Sequence, residues 1–181
     1  MKLRSLKLTN FRGYKDNIEI IFDNLTVFVG KNDIGKSTIL EALDIFFNDG
    51  KGIIKMDKGD VNKQAANAGD TETVISACFT ELPPDIVIDT AYPTTLVDEY
   101  MLNPQSQLEV IKRYRNGGGV KVYIKANHPT NPDCADLLLK KNAELKAIIR
   151  VQGIECENQN SNAVMRAAIW SQHLNDLQIQ V

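Results

Sequence analysis

The chain has 181 residues, 43% hydrophobic and 24% charged, which describes one ordinary globular domain with room for a small appendage. A formal net charge of −2 excludes a globally basic nucleic-acid binder, so any such contact must come from a local patch. Cys78, Cys134 and Cys156 are widely spaced with no C-x-x-C, which argues against a disulfide framework or zinc site; with no span-length apolar run and no signal-peptide core, a reducing cytoplasm is expected.

Residues Met1 to Leu8 alternate basic and leucine positions and predict a first strand. Asn10-Phe11-Arg12-Gly13-Tyr14 is a turn. Ile18, Ile20 and Phe22 then form a second strand, closed by Asp23-Asn24. Leu25-Thr26-Val27-Phe28-Val29 is short, apolar, β-branched and aromatic, the pattern of a buried strand. It feeds Gly30-Lys31-Asn32-Asp33-Ile34-Gly35-Lys36-Ser37-Thr38, which fits G-x-x-x-x-G-K-S/T, a phosphate-binding loop. Glycines let the backbone curl so that its N–H groups face the phosphates of ATP. Lys36 reaches the β/γ-phosphates, and the Ser37 hydroxyl is the ligand for Mg2+. Ile39, Leu40, Leu43, Phe46 and Phe47 follow at helical spacing, with Glu41 and Asp44 opposite. Strand, loop and helix thus come in the order that sets anions at a helix N-terminus.

Residues 50–73 are polar and Gly-punctuated, a surface loop with room for a helical turn. Thr73 to Leu82 predicts a strand ended by Pro83-Pro84. Ile86-Val87-Ile88-Asp89 has the form of a strand presenting a metal-binding carboxylate, yet the run is short and no Glu follows Asp89. Thr95 and Asp98 cap a short predicted helix running to Asn103. Asn116-Gly117-Gly118-Gly119 is the strongest hairpin signal, joining Leu108–Arg115 to Val120–Ala126. That hairpin carries Lys112, Arg113, Arg115, Lys121 and Lys125 with Tyr114 and Tyr123. Such a set can touch a nucleic-acid backbone, though it more often forms the wet face of a half-buried hairpin. Ala135 to Val151, ended by Gly153, predicts a helix with Leu138, Leu145, Ile148 and Ile149 inward and Asp133 as its N-cap. A second helix spans about Ala163 to Leu174, where Trp170 is a packing residue. His128 and His173 lack partners at metal-ligand spacing.

The order Leu6 to Tyr14, a strand, then Val27 to Leu43 resembles the N-terminus of ATP-binding cassette ATPases of the SMC/RecF/OLD type. The resemblance is specific over residues 1–48. It implies an α/β P-loop NTPase fold: an N-terminal lobe with a mixed sheet backed by the Lys36–Phe47 helix and appended helices. By that resemblance residues 1–126 form the lobe with its hairpin, and residues 127–181 a helical portion. The resemblance also makes Arg12 a candidate contact to the nucleotide. Asp33 stands where many of those proteins have Gly, and Asp tolerates left-handed backbone geometry. The Asn-Asp-Ile-Gly-Lys-Ser form of the loop is most similar to OLD-type proteins, including anti-phage nucleases.

Ser-Gly-Gly and an apolar strand ending in Asp-Glu are absent from the sequence. The resemblance places both in a C-terminal half outside this chain. The implied partners are that half, a second ATPase head in a homodimer, and DNA through the full-length protein, with no membrane. Phosphate-loop catalysis is mostly positioning plus electrostatics, and nothing here activates the attacking water, so weak ATP·Mg2+ binding and negligible hydrolysis are expected of the chain alone. Two alternatives stay open. One is a self-contained small NTPase or kinase using Asp89, although no Asn-Lys-x-Asp is present; the other is a non-catalytic interaction module stabilised by nucleotide.

Overall fold

The computed structural model describes residues 1–31, 35–89 and 92–181, with Asp89 and Tyr92 described by backbone alone. The chain is α/β and divides into two compact units. The first holds Met1–Glu81 with Glu109–Ile124, and the second Leu82–Leu108 with Lys125–Val181.

The first unit is built on β1 (Lys2–Thr9), β2 (Ile18–Ile21) and β3 (Glu72–Thr80). β1 is central and antiparallel to both neighbours. Leu6 lies opposite Ala77 and Leu8 opposite Ile75, and all four are buried. The other face of β1 is polar: Lys7 Nζ donates to Glu109 Oε1 at 2.8 Å. Helix α1 (Lys36–Phe47) buries Ile39, Ala42, Ile45 and Phe46. Phe46 and Phe79 of β3 stack with ring centroids 6.3 Å apart. Leu40 and Phe47, expected to be inward, are instead about half exposed, because the i, i+3 row through Ala42 and Ile45 is the one turned to the core.

β4 (Ile86–Asp89) and β5 (Tyr92–Thr94) form a separate two-stranded sheet. The hairpin is β6 (Leu108–Arg115) and β7 (Val120–Pro129), as the glycine run predicts. β6 lies beside β3, so the first unit has the order β2-β1-β3-β6-β7. Tyr114 of β6 is fully buried and its hydroxyl donates to the Ile45 carbonyl at 3.3 Å. Lys112 Nζ donates to the Phe46 carbonyl at 2.7 Å and pairs with Asp49. A lysine on the last carbonyls of a helix satisfies orphan acceptors and complements the dipole. The basic hairpin is therefore partly consumed within its own unit: Arg113 also pairs with Glu72 at 3.5 Å. Its turn nests against the polar 50–62 loop, which holds a 3₁₀ turn (Lys58–Asp60) and leads into α2 (Lys63–Asn67). A β-carbon at Gly117 (φ 63) would collide with the Asp57 carbonyl.

The second unit packs α3 (Asn142–Gln152) on α4 (Asn162–Ser171) around Cys134, Leu137, Leu145, Ile149, Met165, Ile169 and Trp170. Gly153 ends α3 in the left-handed conformation, as expected. β7 continues into this unit, where Ala126–Pro129 pairs antiparallel with β8 (Leu177–Gln180). Arg166 and Glu99, each 1% exposed, form a bidentate pair at 2.9 and 2.6 Å. His128 lies with Nδ1 near the Tyr100 carbonyl and Nε2 near the Cys134 carbonyl, each at 3.3 Å.

Three predicted elements are corrected. Leu25–Val29 is not a strand, and Leu25, Val27 and Val29 are 82%, 67% and 83% exposed. A strand forms only where a neighbour accepts and donates its backbone hydrogen bonds, and among the described residues none does so here. The helix expected over Ala135–Val151 breaks into two 3₁₀ turns (Pro132–Cys134, Leu137–Leu139) and the shorter α3. Asp136 takes a positive φ of 56° and Lys140 and Lys141 are extended, so the helical ladder cannot run through. Asn131, not Asp133, caps the first of these turns. Thr95 does accept from the Asp98 N–H at 3.0 Å, but it opens only a pair of turns, because Tyr100 reverses at φ 52°.

Candidate nucleotide site

The phosphate loop joins the exposed 25–29 segment to α1. Of its predicted residues, Gly30, Lys31, Gly35, Lys36, Ser37 and Thr38 are described; Asn32, Asp33 and Ile34 lie outside the described residues. Gly35 caps α1 at φ 82°, ψ 8°, and Gly30 has φ 149°. Both conformations favour glycine, so the motif's two glycines fall where the backbone turns. Lys36 is the first helical residue, and its ammonium turns back to donate to the Gly30 and Lys31 carbonyls. That bridge ties the start of α1 to the first residues of the loop. Ser37 stands exposed on the first turn of α1, where helix N–H groups lack intrahelical acceptors.

These residues fit a nucleoside triphosphate with Mg2+. The first-turn amides and the dipole of α1 favour an anion, Lys36 supplies a cation, and Ser37 an exposed hydroxyl oxygen for the metal. Bound Mg2+ would neutralise phosphate charge. The chain's own part is to hold the phosphates: no acidic residue adjoins Lys36 or Ser37 in sequence, and among the described residues no cluster of His, Cys, Asp or Glu forms a metal site. Asp89 ends β4 of the two-stranded sheet, opposite Tyr92.

Arg12, the expected nucleotide contact, is paired with two acidic side chains of its own unit. Its Nε donates to Asp60 Oδ1 at 2.7 Å, its Nη1 pairs with Glu41, and its backbone N–H donates to the Asp60 carbonyl at 2.6 Å. The guanidinium lies 5.1 Å from the Phe11 ring centroid. Burial opposes its charge, but the hydrogen bonds to Asp60 and Glu41 outweigh this and raise its pKa above the ordinary value. The turn itself is pinned from outside: Asn62 Nδ2 donates to the Arg12 carbonyl at 2.6 Å, and Asn10 Oδ1 accepts from the Asn62 N–H at 3.1 Å. Tyr14, at the end of the turn, sets its hydroxyl against Gly35, where a β-carbon would collide with it. Glu41, Asp60 and Tyr14 escaped sequence reasoning. Only Glu41 carried a signal, as one of two acids, with Asp44, on the polar side of a helix that follows a phosphate loop.

Residues 1–176 match the family described as an AAA ATPase domain, and the chain belongs to that family. A stretch of 43 residues is 46% identical to the DNA replication and repair protein RecF of Lactococcus lactis subsp. cremoris strain MG1363. The same identity and length hold for RecF of strain SK11. That stretch is 24% of this chain and 12% of either relative. A solved chain from work on ATP-driven dimerization and DNA-stimulated activation of SMC ATPases is similar at 14% identity, with a TM-score of 0.45, over 82% of this chain and 91% of that one. Among the described residues no helix is long and apolar enough to cross a membrane.

Proposed function

We propose that this chain is the ATP·Mg2+-binding lobe of a DNA-transacting ATPase of the SMC/RecF type, acting in the cytoplasm. Lys36, Ser37 and the loop's amides hold the triphosphate, and hydrolysis needs a signature segment and a carboxylate-bearing strand supplied by a C-terminal half and a second head. One observation carries the reading: the glycine-capped start of α1, with the Lys36 ammonium folded onto the loop carbonyls Gly30 and Lys31. The Leu25–Val29 segment, unpaired among the described residues, supports the need for a completing half. Five β-type residues leading into the loop, with three side chains exposed, suit a strand that pairs only when its neighbour arrives. The RecF relatives' part in DNA replication and repair supports a DNA-linked role. An OLD-type nuclease affiliation rests on the Asn32-Asp33-Ile34 form of the loop alone.

Titration calorimetry with millimolar ATP and Mg2+ tests this. The chain gives a binding heat that Lys36→Ala abolishes, while steady-state turnover stays near the uncatalysed background. Loss of the heat in wild type, or turnover by the isolated chain that Asp89→Ala removes, overturns it. The second outcome would favour the self-contained NTPase.

A further inference from the structure

Arg12 joins three segments of the first unit: its own turn, the 57–62 loop and α1. Around it stand two carboxylates, Asp60 and Glu41. One positive charge against two negative ones leaves the cluster net anionic, which repels a triphosphate. A phosphate seeking Arg12 would also have to displace charge-assisted bonds already made, the stronger class of hydrogen bond. Asp60 is itself fixed, since its Oδ2 accepts from the Asp57 N–H at 2.9 Å in a capping box. Its side chain is 9% exposed, against 28% for Arg12 and 30% for Glu41. The anchored end of this bridge is therefore Asp60, and the carried end is Glu41. Glu41 lies five residues after Lys36, so whatever holds Glu41 sets the first turns of α1. Tyr14, two residues after Arg12, sets its hydroxyl against Gly35 on the same stretch.

We propose that Arg12 is a positioning residue for the phosphate loop, acting through Glu41, and does not touch the nucleotide. The turn from Asn10 to Tyr14 is then a buttress: Arg12 braces the second turn of α1 and Tyr14 braces its cap. This rests on the reading of the loop as a triphosphate site, and it assigns Glu41 and Asp60 a part in nucleotide affinity although neither is in the motif.

Two measurements on the full chain test it. The first needs no nucleotide: amide hydrogen exchange by mass spectrometry over residues 36–41, with β3 as the internal reference. Arg12→Ala and Glu41→Gln each speed exchange over 36–41 and leave β3 unchanged; unchanged exchange over 36–41 in both overturns the proposal whether or not ATP binds. The second is calorimetry with ATP and with ADP. Arg12→Ala and Glu41→Gln each weaken both nucleotides by about tenfold. The double variant is no weaker than either single, as expected of residues acting as a unit, and Arg12→Lys retains part of the affinity. Weakening confined to Arg12 variants and larger for ATP than for ADP makes Arg12 a direct phosphate ligand and overturns the proposal. Wild type with no Lys36-dependent heat sinks the triphosphate reading instead, and the exchange result still decides the buttress.

Discussion

Single side chains in this protein are mostly held by partners far away in sequence. Tyr114 is an instance: burial, then the nearby Asp49 charge, pushes its phenol up to about 12. The folded state thus keeps its proton longer than the unfolded chain, whose tyrosine titrates near 10. Its contribution is intact below about pH 10 and is lost as pH rises toward 12. Chemical unfolding followed at pH 9 and pH 11.5 should show a fall in stability that is smaller in Tyr114→Phe. At neutral pH the same variant loses one hydrogen bond to the Ile45 carbonyl, about 0.5–1.5 kcal/mol. The Cys134 thiol is pushed up to about 11 by burial and by Asp133, and it is fully buried, whereas Cys156 is only partly so. Iodoacetamide at pH 8 therefore modifies Cys156 in the native protein and Cys134 only on unfolding, as peptide mass mapping would read. The Arg166–Glu99 pair lies inside the second unit. Removing the carboxylate charge leaves a buried guanidinium without its paired anion, so Glu99→Gln costs about 3–5 kcal/mol in a urea titration, while a matched pair of apolar replacements costs far less.

Elements were legible where local pattern and tertiary demand agreed. The phosphate-loop helix, the β3 alternation and the Gly-rich hairpin each combine a period with punctuation, and each stands where expected. Leu25–Val29 misled because β-type composition encodes a willingness to pair, while pairing itself depends on a neighbour that composition does not reveal. Ala135–Val151 misled because helical spacing of leucines continues through Asp136, Lys140 and Lys141, whose backbones turn to bury Leu137 under Trp170's cluster. The site was half legible: the motif named Lys36 and Ser37, but the braces Glu41, Asp60 and Tyr14 come from contacts 21 to 48 residues apart that no spacing announces. The hairpin turn yields a test at this scale. Gly117 combines φ 63° with contact against Asp57, so Gly117→Ala forces both strain and overpacking. It should lower stability by about 1–3 kcal/mol, measured by denaturant midpoint, whereas Gly119→Ala, with open space around it, should be nearly silent.

At the scale of the whole chain, long-range connections govern the first unit. Lys7 reaches Glu109 across 102 residues, and α1 takes its C-terminal cap from Lys112, 66 residues beyond Phe46. Exposed Leu25, Val27 and Val29 form a sequence-local apolar strip, a hazard for edge-to-edge association. Replacing all three with threonine should raise the concentration at which the isolated chain stays monodisperse by light scattering, with little change in melting temperature, since none is buried. The cap from Lys112 also sets a timetable. During synthesis, residues 30–47 leave the ribosome well before the hairpin that will hold the end of α1, and non-local contacts of this kind are slow to close. Nascent chains stalled before residue 108 would carry an unbraced helix and an immature cradle. Competence to grip a nucleotide would then switch on only when the first hairpin strand, with Lys112, has been made, which keeps half-built chains from sequestering ATP.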